Sequence, residues 1–124
     1  MNIPGTTKGY TAEAAIGAHR IVKHGTADGQ AVQGAADTDA LMGISTELPS
    51  DEGETVDVVK TGLADVEYGG AVTRGDPLTS DSVGRAVKAA PAAGENANLV
   101  GYAEVSGVLG DIGSAAIFPS VMQG

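Results

Sequence analysis

Apolar residues in this chain come in short bursts that alternate with polar ones and then stop at a Gly or a Pro. The longest stretches free of both are 8 residues, at 35–42 and 54–61, shorter than the roughly eleven or twelve of an average helix. An interior Gly costs a helix about 1 kcal/mol and a Pro about 3, so the many Ala residues do not read as helix here. Short segments between frequent turn signals are the pattern of a small β-barrel or sandwich. The spacing predicts strands over residues 55–60, 64–68, 85–89, 99–105 and 115–118, with shorter ones over 18–23, 31–34 and 41–45. Over 64–68, Ala64, Val66 and Tyr68 share one face and Asp65 and Glu67 the other, as a half-buried strand requires. Over 99–105, Leu99, Ala103 and Val105 oppose Val100, Tyr102 and Glu104, with Gly101 leaving room for a bulge or a close neighbour. Residues 11–16 fit either extended chain or one helical turn capped by Thr11.

The chain also echoes itself. Gly29-Gln30-Ala31-Val32-Gln33-Gly34-Ala35, followed by Leu41-Met42-Gly43-Ile44, resembles Gly84-Arg85-Ala86-Val87-Lys88-Ala89-Ala90, followed by Leu99-Val100-Gly101-Tyr102. Each reads turn, strand, loop, strand, and the second has a longer loop at residues 91–98. Either short strands with Gly turns look alike by chance, or two similar hairpins pack face to face in a closed sheet.

Composition narrows the function classes. Leu, Ile, Val and Phe together number 26 of 124 residues, close to the roughly 20% below which a charged chain tends to stay unfolded. The core is expected to be thin and to gain from association. With no Cys there is no disulfide frame, thiolate metal site or Cys nucleophile. The first residues lack the apolar stretch of a secretory signal, and no run is long enough to span a bilayer. A formal charge of −9, with only 7 basic residues, opposes nucleic-acid binding.

Candidate chemistry is sparse. His19 and His24 would fall on opposite faces of a strand and do not make a metal pair. Asp37 and Asp39, and Asp51, Glu52 and Glu54, lack the spacing of a calcium loop and read as solvated turns. Arg74-Gly75-Asp76 reads as a turn ahead of Pro77 at a strand entrance, although adhesion receptors recognise the same tripeptide. No phosphate-binding Gly loop and no Gly-x-Ser-x-Gly elbow is present, so neither a nucleotide cofactor nor an enzyme is expected. With no Trp and one Phe, a stacking groove for bases or sugars is not expected either.

Taken in order, the elements resemble a family. These are Gly17-Ala18-His19-Arg20-Ile21-Val22, Gly29-Gln30-Ala31-Val32 with Leu41-Met42-Gly43-Ile44, and Leu63-Ala64-Asp65-Val66 after residues 56–62. Arg74-Gly75-Asp76-Pro77-Leu78, residues 81–86, Leu99-Val100-Gly101-Tyr102-Ala103 and Ala115-Ala116-Ile117-Phe118 complete the series. The run is similar to the capsid cement, or head decoration, proteins of tailed bacteriophages. That resemblance implies an all-β, tulip-like fold with at most one or two helical turns and an extended N-terminal arm. It also implies a non-enzymatic trimer, without cofactor or metal, on the outer surface of the virion. Such a trimer sits at threefold and quasi-threefold positions, made in the host cytoplasm, with the major capsid protein and itself as partners and neither nucleic acid nor membrane. It clamps adjacent capsomers.

The expected organisation is a flexible arm at residues 1–10 and one β domain at 11–124. The arm residues Asn2, Ile3, Pro4, Gly5, Thr6 and Thr7 are expected to pair with a strand edge on the shell. Tyr102, Ile117, Phe118 and Val121 are large apolar groups in a chain with few, and are either subunit interface or plain core. Two other roles fit the same sequence: a tail or baseplate β domain, and a displayed module binding a host surface or glycan.

Overall fold

The computed structural model describes residues 3–124, and no helix forms among them. Eleven strands appear: β1 Ile3–Pro4, β2 Thr7–Ala12, β3 Ile21–His24, β4 Gln30–Gln33, β5 Leu41–Ser45, β6 Thr55–Val59, β7 Gly62–Glu67, β8 Pro77–Ser80, β9 Ala86–Lys88, β10 Asn96–Ala103 and β11 Ile112–Gln123. Strands β2 to β6 close into a barrel in the order β2-β4-β3-β5-β6. The others form a sheet in the order β1-β7-β11-β10-β8-β9. This is a small all-β fold, as the Gly and Pro punctuation predicts.

The two sheets are one plan used twice. Setting β1 aside, the second order repeats the first with β7 for β2, β8 for β3, β9 for β4, β10 for β5 and β11 for β6. The rungs correspond as well. The parallel contact Ala12↔Ala31 that closes the barrel has its counterpart in the parallel bridge Tyr68↔Ala86, and Ile16↔Ser50 in Val72↔Gly107. Even the turns agree: Gly53 donates to Ala12 and Gly110 to Tyr68, both glycines at positive φ, 84° and 89°. The sequence echo therefore marks a true structural repeat.

The echoed segments are not hairpins packed face to face, however. β4 and β5 both pair with β3, and β9 and β10 both pair with β8. In each unit the strand before the echo lies between its two halves, supplying a partner that the echo itself does not contain. Gly43 and Gly101 are equivalent in this arrangement, opposite Val22 and Leu78. At each, an added Cβ would fall within 2.5 Å of a carbonyl oxygen on the next strand, Val59 or Ala116. Only Gly lets the backbones approach this closely.

Three clusters of buried side chains form the core. Tyr10, Val22, Met42, Val56 and Val58 are among those filling the barrel. A larger cluster joins Ile21, Leu41, Ile44 and Val59 of the first unit to Val66, Tyr68, Leu78, Val100 and Ile117 of the second, so the two share one interior. Between Leu99 and Gly101 the β10–β11 ladder slips. Leu99 consequently packs with Ala89, Ala97 and Met122 in a small separate cluster, while Val100 enters the main one. The simple alternation expected across 99–105 fails at this bulge.

Two details concern the start of the chain. Residues 11–16 make no helical turn; Thr11 and Ala12 end β2, and Ile16 bridges to Ser50. The division between residues 10 and 11 falls inside β2, whose Thr7 to Thr11 pair with β6.

Candidate functional site

Two surfaces stand out, and both follow from strand alternation. The first is the outward face of the second sheet. Directly paired residues of antiparallel strands share a face, and the pairings Ile3↔Leu63, Leu63↔Ala116, Ala116↔Tyr102 and Tyr102↔Pro77 line up one row across five strands. Every member is apolar or aromatic. Phe118, two positions along β11 from Ala116, adds a diagonal neighbour on the same side and is 66% exposed. Ile3, at 56%, and Tyr102, at 41%, are also open to solvent. A chain with one Phe and three Tyr thus spends its Phe and one Tyr on an uncovered sheet face.

The second surface is the open end of the first barrel. Along β2 the inward positions are Tyr10 and Ala12, and Lys8 precedes them in step. Along β6 they are Val56 and Val58, and Lys60 follows in step, its N–H donating to the Thr6 carbonyl at 2.8 Å. His24 follows the buried Val22 on β3. Lys8, His24 and Lys60 therefore ring the barrel mouth above Tyr10. The Lys8 and Lys60 ammonium groups lie 5.0 and 5.3 Å from the Tyr10 ring centroid, and Lys60 Nζ donates to the Tyr10 hydroxyl at 2.6 Å. The His24 ring meets Tyr10 edge-on at 6.4 Å.

The residues singled out by sequence scatter among these features. Asn2 lies outside the described residues. Ile3 and Pro4 form β1 on the edge of β7; Gly5 N–H donates to the Thr61 carbonyl and Thr6 N–H to Thr61 Oγ1, at 2.9 and 2.7 Å. Thr7 opens β2. Tyr102 and Phe118 share the apolar row, Ile117 points the other way into the common core, and Val121 is exposed beyond the slip in β11. His19 and His24 are apart, His19 facing the Asp65 carbonyl at 3.3 Å.

The acidic turns are occupied by their own backbone. Asp39 accepts from Ala35 and Ala36 N–H and pairs with Lys23 at 3.2 Å, and Glu54 accepts from Asp51 N–H. Asp76 of the Arg-Gly-Asp turn accepts from Thr73 N–H at 2.9 Å and lies 3.9 Å from Lys88, with Gly75 at φ 92°. That carboxylate is engaged in holding its turn. The cationic mouth went unread in the sequence, although Val56, Val58 and Lys60 at every second position, matched by Lys8, Tyr10 and Ala12, carried its signal.

A duplicated, Gly-rich, all-β protein whose distinctive features are surfaces is the class that fold and site define. Residues 4–107 match the family model described as phage cement protein, and the chain belongs to that family, a family of structural proteins of the phage capsid. Among solved structures it is similar to the N base of the head fiber protein gp8.5 of bacteriophage phi29, at 20% sequence identity and a TM-score of 0.69, covering 96% of this chain and 98% of that one. No curated protein sequence matches.

Proposed function

We propose that this chain decorates the outer surface of a mature tailed-phage head as a homotrimer at threefold and quasi-threefold positions, clamping neighbouring capsomers through the major capsid protein. Its role is structural and non-catalytic. The observation that carries the self-association is the apolar row from Ile3 through Leu63, Ala116 and Tyr102 to Pro77, with the exposed Phe118 beside it. Monomeric proteins seldom leave contiguous apolar surface of this kind bare, and aromatic residues are enriched in interface cores. A chain with few large hydrophobes gains most from covering them. A symmetric trimer would present three copies of each shell contact and add weak contacts in parallel, which suits a clamping role.

Phe118→Asp tests the interface. Because Phe118 is exposed, the variant should keep the wild-type circular dichroism and melting profile. Light scattering should move from three times the 12.2 kDa chain mass to one. A wild-type protein that stays monomeric at every concentration and on heads, or a Phe118→Asp variant that stays trimeric, refutes the assignment of this face.

A further inference from the structure

Resting on the reading of this protein as a head decoration protein, we infer that the mouth of the first barrel is a docking site for an extended acidic–apolar segment of another protein of the particle. Three observations converge on it.

The first is charge. Of the seven basic residues in a chain of net charge −9, Arg20, Lys23, Arg85 and Lys88 each lie within 4.0 Å of a carboxylate. Lys8, Lys60 and Arg74 make no such pair among the described residues, and the first two flank one tyrosine, Lys8 at 5.0 Å from its ring centroid and Lys60 on its hydroxyl. With no carboxylate within 4.0 Å of either among the described residues, the two form a local positive patch that an incoming carboxylate complements.

The second is shape. Two adjoining hollows of about 490 and 570 Å³ share Lys8, His24 and Lys60 as their common lip. One is walled by Leu41, Met42 and Pro119; the other runs along the 25–29 turn, where Asp28 is its one carboxylate. An apolar trough beside a cationic rim suits a chain that carries a carboxylate next to an apolar side chain. Barrel mouths are a recurrent place for such sites. The overall negative field disfavours a long polyanion, so a short acidic peptide fits better than nucleic acid.

The third is the repeat, which supplies an internal control. Matching the rungs places Ala64 where Lys8 stands, Ser80 where His24 stands and Ile117 where Lys60 stands. All three are buried. The equivalent end of the second unit is therefore covered, with small and apolar side chains, and in the first unit it is open and positively charged.

The experiment uses the full-length protein and follows backbone amide shifts of Lys8, Tyr10, His24 and Lys60 by NMR. Three probes are added separately: a short peptide of alternating Glu and Leu, its Gln–Leu counterpart, and inorganic phosphate. The expected result is saturable shifts with the Glu–Leu peptide only. Affinity should fall about tenfold or more in the double variant Lys8→Gln/Lys60→Gln and weaken at high salt. No response to the Glu–Leu peptide, an equal response to the Gln–Leu peptide, or an equal response to phosphate overturns the inference. The last would reveal a free-anion site. The double variant should also bind purified heads at least several-fold more weakly than wild type; equal binding by both overturns the inference and leaves the decoration role standing. If wild type does not bind heads, the decoration role fails, and the peptide titration still decides what the mouth binds.

Discussion

At the scale of the residue, Tyr68 shows how few large side chains this protein has and how fully it uses them. Its ring is buried between Gly107 and Gly113, where an added Cβ on either would lie within 3 Å of it. Its hydroxyl donates to the Val105 carbonyl at 2.7 Å. Burial, with Asp111 as a second cause, pushes the phenol above its ordinary value. The native state thus holds the proton more tightly than the unfolded chain, and the stability tied to it is whole below the ordinary tyrosine value of about 10 and lost as pH rises beyond it. Tyr68→Phe should lower stability at neutral pH by about 1 kcal/mol, the worth of one lost hydrogen bond, and flatten the alkaline decline. Urea melts at pH 7 and at alkaline pH check both. The sequence showed that Tyr68 faces inward, because Ala64 and Val66 lead to it in step; the glycines that make its slot lie some forty positions away and became neighbours only through the fold.

At the scale of the element, legibility followed alternation. Strand β5 was read at its full extent, 41–45, and β6 within one residue, because their apolar positions are dense and their ends are marked. β2 was missed because Thr7, Lys8, Gly9 and Thr11 are exposed and outnumber its two buried residues. β8 shows in the sequence only as an entrance, since its first residue is Pro77, a strand position where Pro forfeits no ladder bond. β11 was read short because Gly113 and Pro119 break up twelve residues that form a single strand.

The arm belongs to this scale too. Residues 6 and 7 are bound to the barrel, whereas Ile3 and Pro4 cover the edge of β7. Deleting residues 2–5 should leave the barrel intact, with a melting temperature within a few degrees of wild type. It should expose the Gly62–Leu63 edge and reduce occupancy on heads by removing the Ile3 end of the apolar row. Calorimetry and a co-sedimentation assay with purified heads are the checks; undiminished occupancy would remove the arm from the shell contact.

At the scale of the whole molecule, the shared core decides how the two units behave. Ile44, fully buried, lies in the same cluster as Val66, Tyr68 and Leu78 across the boundary. The units should therefore melt as one transition, with calorimetric and van't Hoff enthalpies equal. Ile44→Ala should destabilise the whole protein by about 2–5 kcal/mol rather than release the barrel alone; separate transitions for the two units would contradict a common core. The all-β class was legible from punctuation and the repeat from matched Gly positions, but the joining of the halves was not. It depends on which inward faces meet, and a linear pattern of short strands does not encode that. Halves that share one plan and one core need not change together: a substitution at the mouth of the first barrel leaves the matching positions of the second unit untouched, so one half can vary its surface while the other keeps the pair folded.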